Sequence, residues 1–291
     1  MAWLQLHFPT DQTHAEFVEE LMLGLGAHSV TLTDAADEPL FEPPPGATPL
    51  WQQVILSALF AADVNQEALL LEIGQQMGGL PAGLTFEPLE EQVWERAWMA
   101  DFHPMQFGER LWIVPSWAEA PNPNAVNLQL DPGLAFGTGT HETTALCLTW
   151  LESLNLQGKT VLDYGSGSGV LAIAALLLGA EYAYACDIDP QALLATRENA
   201  KLNGVSKQLF CMAPEALPKQ QFDVVVANIL AEPLVNLAEH IQSFCKPQGH
   251  IGLSGILLDQ AQLVREAYHD GVALEANTTM GEWTLVHGQR R

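Results

Sequence analysis

Across residues 3–90 the spacing of apolar positions switches between two periods, and the switches define the elements. WLQLHF (3–8) alternates apolar and polar residues and predicts a strand; HAEFVEELMLGLG (14–26) repeats apolar residues every three or four and ends at glycine, which predicts a helix. HSVTLTD (28–34) returns to alternation. The proline-rich EPPPGATP (42–49) breaks the pattern, after which VILSALF (54–60), NQEALLLEIGQQMG (65–78) and LTFEPLE (84–90) predict strand, helix, strand. The order βαββαβ is the split βαβ arrangement, a small ferredoxin-like α+β domain. Such a domain leaves one sheet face open, a surface suited to gripping another protein.

EEQVWERAWMADFHPMQFGERLWIVPSW (90–117) predicts a tryptophan-rich helix followed by a strand. Its aromatics at helical spacing read as packing between domains rather than as a binding cage. APNPN (120–124) is a loop, and the domain junction is placed there: a first domain over 1–92, a linker helix and strand over 93–128, and a second domain over 129–291. Beyond Glu142 the order is regular. Helix TTALCLTWLESL, strand TVLDYG, helix GVLAIAALLLG, strand YAYACDID, helix PQALLATRENAKLNG and strand QLFCMA come first. Strand FDVVVANIL, helix AEPLVNLAEHIQSF, strand GHIGLSGI and helix LDQAQLVREAYHD follow. Apolar strands alternating with helices predict an α/β fold, a mostly parallel sheet covered on both faces. Two last strands, near 272–277 and 282–288 and joined around Gly281, predict an antiparallel hairpin at one edge.

Charge changes the picture of the first domain. The 291 residues carry 35 acids and 11 bases, a net of −24, yet Met1–Glu95 holds 15 Asp and Glu with no Lys or Arg. The remainder has 20 acids and 11 bases, a net of −9. Phosphate backbones are bound through Lys and Arg, so no direct nucleic-acid contact is expected through this region; a basic partner would be drawn to it. Acidity that merely keeps an apolar protein soluble is the plainer alternative. The four cysteines (Cys147, Cys186, Cys211, Cys245) fall 39, 25 and 34 residues apart, so no CxxC pair points to zinc or redox chemistry and no metal is expected. MAWLQLHFPTD lacks the basic and apolar regions of a signal peptide, and the apolar run VLAIAALLLGA is too short to span a bilayer. A soluble, cytoplasmic protein with no membrane partner is expected.

The candidate chemistry gathers around VLDYGSGSG (161–169). A dinucleotide fingerprint needs its third glycine five residues after the first, and counting from Gly165 that position is Val170. Instead Asp163 is followed by Gly165, Gly167 and Gly169, the DxGxGxG pattern of S-adenosylmethionine (SAM) methyltransferases. There the glycines let the backbone approach the amino-acid end of a cationic cofactor, and Asp163 supplies negative charge near its ammonium. A tight structural turn is the alternative. Asp187, 22 residues beyond Gly165, suits an acceptor for ribose hydroxyls, and Ile188 would lie against the adenine; dehydrogenases share the acid.

Asn228 in VVVANIL falls at the carboxyl end of a strand, beside the crevice where open α/β sheets bind ligands. The Ile-Leu-Ala-Glu-Pro after it lacks an aromatic on which a flipped base stacks, which favours an amine on a protein over a nucleobase. LDPGLAFGTGTHETT (130–144) puts a glycine loop before the first helix of this domain. It is either an ordinary loop with Thr140 as helix cap, or a lid touching the cofactor through Phe136 or Thr144. It lacks the GK[ST] of a phosphate loop, and Ala145 breaks the HExxH zinc pattern. His141 is a candidate base, although a histidine between loop and helix is more often structural.

Taken together, LDPGLAFGTGTHETT, VLDYGSGSGVLAIAALLLGA, CDIDPQALLATRENAKLNGV and VVANILAEPL resemble the PrmA family, the methyltransferases of ribosomal protein L11, over essentially the whole chain. The resemblance implies a class I, Rossmann-like SAM-dependent methyltransferase domain preceded by a substrate-recognition domain. It implies methylation of the N-terminal α-amine and lysine side chains of that basic large-subunit protein, with cofactor contacts at Thr144, Gly165, Asp187 and Asn228. Ser166 stands where the family commonly has Cys, Glu142 where it often has Pro, and Glu232 replaces a small residue. The attacking amine must be neutral, and a sulfonium cation together with partial burial lowers an amine pKa from its usual ~10.4 or ~8, so no dedicated base is required. Asn228 would accept a hydrogen bond from the amine or hold the cofactor, and alignment would do most of the rest. The competing readings are a methyltransferase of another basic protein or of nucleic acid, a nicotinamide oxidoreductase, and a non-catalytic acidic binding module.

Overall fold

The computed structural model describes residues 3–36, 50–89, 102–131 and 141–291, and the chain divides into two compact units, Met1–Met99 and Ala100–Arg291. The proline-rich break, the tryptophan-rich helix expected from residue 90, and the glycine loop with Phe136 lie outside the described residues.

The first unit has strands β1 (Trp3–Asp11), β2 (Ser29–Asp34), β3 (Gln53–Ala61) and β4 (Thr85–Leu89) and helices α1 (Ala15–Gly24) and α2 (Gln66–Met77), in the order βαββαβ. The sheet runs β2-β3-β1-β4 with every pair antiparallel, the expected ferredoxin-like arrangement. Alternation is its cause: Leu4, Leu6 and Phe8 on β1 and Leu56, Ala58 and Phe60 on β3 are all buried. Val18 and Met22 of α1 and Leu69 and Ile73 of α2, each pair four residues apart, pack into the same cluster. Each large side chain so buried contributes about 1.5–3 kcal/mol. Asn65 caps α2 by accepting the Ala68 N–H (3.1 Å), and Gly78 ends it in the left-handed region at φ 71°.

In the second unit β5 (Met105–Phe107), β6 (Leu111–Val114) and β7 (Val126–Gln129) form a three-stranded sheet. The part of the expected linker from residue 102 onward thus belongs here. Phe107, Leu111, Ile113 and Leu128 share a core cluster with helix α3 (Glu142–Ser153), and Arg110 Nε donates to Glu152 Oε1 (2.8 Å) at its far end.

The main sheet comprises β8 (Thr160–Tyr164), β9 (Tyr182–Cys186), β10 (Leu209–Met212), β11 (Phe222–Asn228), β12 (Cys245–Leu257), β13 (Val272–Leu274), β14 (Thr278–Met280) and β15 (Trp283–Arg290). Its order is β10-β9-β8-β11-β12-β15-β13, with β14 paired to β15. The first five of these are parallel; β15 runs antiparallel between β12 and β13 and turns from β14 at Gly281. β11 shows why both faces are covered: Val224 and Val226 enter one core cluster, Val225 and Ala227 the other. The first face holds α3 and α4 (Val170–Leu177); the second holds α6 (Ala231–Asn236), α7 (Ala238–Ser243) and α8 (Ala261–Tyr268), and α5 (Pro190–Leu202) joins β9 to β10. The single helix expected over 231–244 is divided at Leu237 (φ −102°, ψ 12°). None of the helices among the described residues is long and apolar enough to cross a membrane.

Candidate functional site

The carboxyl ends of β8, β9 and β11 open onto two adjoining cavities. The larger, about 520 Å³, is lined by Gly165, Asp187, Ile188, Asn228, His141 and ten further residues that are mainly apolar. The smaller, about 210 Å³, is lined by Thr144, Gly165, Gly167, Asp187 and Asn228 among others. Gly165, Asp187 and Asn228 border both, so the two cavities form one bent crevice at the place where open α/β sheets bind ligands. No Lys or Arg lines either cavity among the described residues.

The turn after β8 is held from below. Gly165 N–H and Ser166 N–H donate to Cys186 O (2.8 and 3.0 Å), and Gly167 O and Ser168 O accept from Thr196 Oγ1 (3.0 Å) and Asn199 Nδ2 (2.8 Å) of α5. Two glycines are obligatory. Gly165 has φ 83° and a Cβ there would collide with Ile229 Cγ2; Gly169 has φ 78° and a Cβ would come within 2.6 Å of Thr196 Cγ2. Asp187 Oδ2 accepts the Gly167 N–H (2.9 Å) and Oδ1 the Asp189 N–H (2.9 Å), so the acid read as a ribose ligand also tethers the glycine turn. A carboxylate oxygen accepts more than one hydrogen bond, so both atoms retain capacity for hydroxyls.

Asp163 stands behind the wall of the crevice. It lines neither cavity and is fully buried; Oδ2 accepts the Ala172 N–H (3.1 Å) in the first turn of α4, and Oδ1 has no hydrogen-bond partner among the described residues. Burial pushes its carboxyl up to about 7, against the Ala172 hydrogen bond and with help from the Asp187 charge. Near neutrality it is therefore only partly ionised, and its charge acts through the turn rather than from the cavity wall.

Thr144 is fully buried at the start of α3, and Asn228 Nδ2 donates to its Oγ1 (3.3 Å), joining that helix to the end of β11. Ile188 lines the larger cavity while 86% exposed, a lip rather than a floor. His141 caps α3, and Thr140 lies outside the described residues: the His141 Nδ1 accepts the Thr143 N–H (3.3 Å) and lies 2.8 Å from Thr143 Oγ1, while its ring meets Trp283 edge-on at 4.9 Å. Phe136 lies outside the described residues. Of the residues named in advance, Thr144, Gly165, Gly167, Asp187, Ile188, Asn228 and His141 are thus brought to one crevice. Trp283, Gly255, Pro214, Pro233 and Leu237 also line it and were not foreseen, because they come from separate segments that carry no local motif.

Comparison with known proteins agrees with this geometry. The family model described as ribosomal protein L11 methyltransferase (PrmA) matches residues 2–291. A protein of Hahella chejuensis named ribosomal protein L11 methyltransferase is 53% identical over 290 residues, 100% of this chain and 99% of that one. A protein of the same name from Pseudomonas paraeruginosa is 53% identical over 292 residues, again 100% and 99% of the two chains. The crystal structure of a ribosomal protein L11 methylase from Lactobacillus delbrueckii subsp. bulgaricus matches with a TM-score of 0.60 and 34% identity, covering 65% of this chain and all of that one.

Proposed function

The chain belongs to the ribosomal protein L11 methyltransferase (PrmA) family and is a SAM-dependent enzyme, and we propose that it methylates the N-terminal α-amine and lysine side chains of ribosomal protein L11. The observation that carries the cofactor reading is the pairing of Asp163 with the first turn of α4. Dinucleotide folds present helix N-terminal amides to a pyrophosphate; here a carboxyl takes the Ala172 amide, and no Lys or Arg lines the crevice among the described residues. That electrostatics suits a cation and opposes a phosphate.

The residues fit such a donor. Gly165 and Gly167 would admit its amino-acid end beside Thr144, Asp187 would take the ribose hydroxyls, and Ile188 and Pro214 would flank the adenine. When bound, SAM supplies a methyl group on a positively charged sulfur. The amine must arrive neutral, and a crevice walled by Ile229, Leu230, Pro233 and Trp283 penalises the ammonium form, so burial does the work of a base. Gly165, Gly167 and Asp187 would hold the donor so that its methyl passes to the neutral amine while the S–C electron pair stays on sulfur, and the proton of the product would leave to solvent. Asn228 donates to Thr144 through Nδ2, which leaves its amide oxygen to accept from the amine and align it. His141 serves this site as a helix cap and a wall rather than as a base.

The first unit, free of Lys and Arg up to Glu95, would recruit the substrate, with no nucleic-acid contact through it, in a cytoplasmic setting. The test combines tritiated SAM, purified L11 and two forms of the enzyme. The full chain labels L11 on amino groups identified by mass spectrometry, whereas a chain lacking residues 1–90 loses labelling of intact L11 and keeps its SAM affinity. Loss of SAM binding on truncation refutes this division of labour.

A further inference from the structure

The first unit exposes two different faces, and they are unequally suited to a basic partner. On the outward side of the sheet the acids are already engaged: Glu87 sits 3.6 Å from His7 Nε2, and Asp11 accepts from the Thr13 and His14 amides to shape the turn into α1. The apolar residues on that side, Trp3, Pro9, Ile55, Leu59 and Leu89 among them, are half-buried. The helical layer is the opposite. Phe17 and Leu23 of α1 are 48% and 47% exposed and Leu71 of α2 is 63% exposed, although all three are large and apolar. The same two helices carry the exposed Glu16 and Glu20 of α1 and Glu67 and Glu72 of α2. Glu16 and Glu20 are four apart on one helix and repel each other, and no Lys or Arg occurs anywhere in Met1–Glu95 to relieve them. Glutamates and bare apolar side chains on one layer, with no Lys or Arg in Met1–Glu95, describe a surface whose complement lies on another molecule.

We propose that this helical layer, and not the open sheet face, docks the substrate: a surface bearing lysine or arginine with apolar residues between them. The inference rests on the reading of L11 as the substrate. A protein that lives on ribosomal RNA carries such a basic surface for the phosphates, and the glutamates of α1 and α2 would hold it while a lysine or the α-amine reaches the crevice. Phe17, Leu23 and Leu71 would supply the desolvated centre of the contact and the four glutamates its charged rim.

The test uses the full chain and intact purified L11. The triple variant Glu16→Lys/Glu20→Lys/Glu72→Lys and, separately, Leu71→Gln are expected to raise KM for L11 at least tenfold with kcat and SAM Kd within twofold of wild type. The charge variant also flattens the rise of KM with salt. The corresponding Gln triple variant gives an intermediate KM, which separates lost attraction from misfolding. Thr31→Lys/Glu87→Lys on the sheet face leaves KM within twofold. If wild type does not methylate L11, the assigned function fails. If wild type methylates L11 but its KM follows the sheet-face variant, or is unmoved by the helix-layer variants, the docking surface alone is overturned.

Discussion

Replacing Asp163 with asparagine removes the one titration that burial has displaced furthest into the neutral range among the described carboxyls. The asparagine keeps the oxygen that accepts from Ala172 and places an N–H where the protonated acid carries its O–H, so it mimics the neutral form. A carboxyl moved from 3.8 to about 7 corresponds, at about 1.4 kcal/mol per pH unit, to about 4 kcal/mol between its two protonation states. The side chain is wholly buried, so solvent screening does not reduce this figure. The sign follows from proton counting. Between about pH 4 and pH 7 the folded chain holds a proton that the unfolded chain has released, so stability falls as pH rises through that window and levels off above it. The asparagine variant lacks this slope. Urea unfolding at pH 5, 6, 7 and 8 is expected to show wild type losing about 2.5 kcal/mol relative to Asp163→Asn, most of it between pH 5 and pH 7, the rest of the difference lying below pH 5. A cationic cofactor favours the ionised form, so SAM binding to wild type releases protons near pH 6–7 and its calorimetric heat depends on the buffer. A wild-type minus variant difference that is flat from pH 5 to 8 refutes both the displaced titration and the neutral-mimic reasoning.

Asp187→Ala is expected to weaken SAM at least tenfold more than Ser166→Ala, because Asp187 borders both cavities and tethers Gly167, whereas Ser166 is 6% exposed with its hydroxyl 3.4 Å from Thr196 Oγ1; calorimetry giving equal losses contradicts the assignment. His141→Asn retains a good helix cap, so melting should change by the equivalent of less than about 1 kcal/mol. The pH profile of kcat/KM should keep its shape in that variant, and a hundredfold loss of kcat with the basic limb abolished would instead mark His141 as the proton acceptor.

What could be read in advance divides along a physical line. Where one face of an element is buried and the other wet, the burial is written into the spacing: Leu4, Leu6 and Phe8 in β1, or Val18 and Met22 in α1, reveal both the element and its inward side. The site obeys a similar rule where one backbone turn does the work, since Gly165, Gly167, Asp187 and Asn228 sit at strand ends that the apolar runs already locate. The same logic explains what escaped. β5 and β7 are three and four residues long, too short for a period to show, so the region read as a linker with a single strand although Leu111, Ile113 and Leu128 are fully buried. Trp283 and Gly255 reach the crevice because β15 is inserted antiparallel beside β12, a pairing between distant segments that no local pattern encodes. Asp163 is the sharpest case. Its residue type and spacing announce a charge near the cofactor, but whether it is charged depends on burial, and burial is decided by the helix packed above it. A motif therefore locates the chemistry, while the protonation state on which that chemistry runs belongs to the tertiary fold.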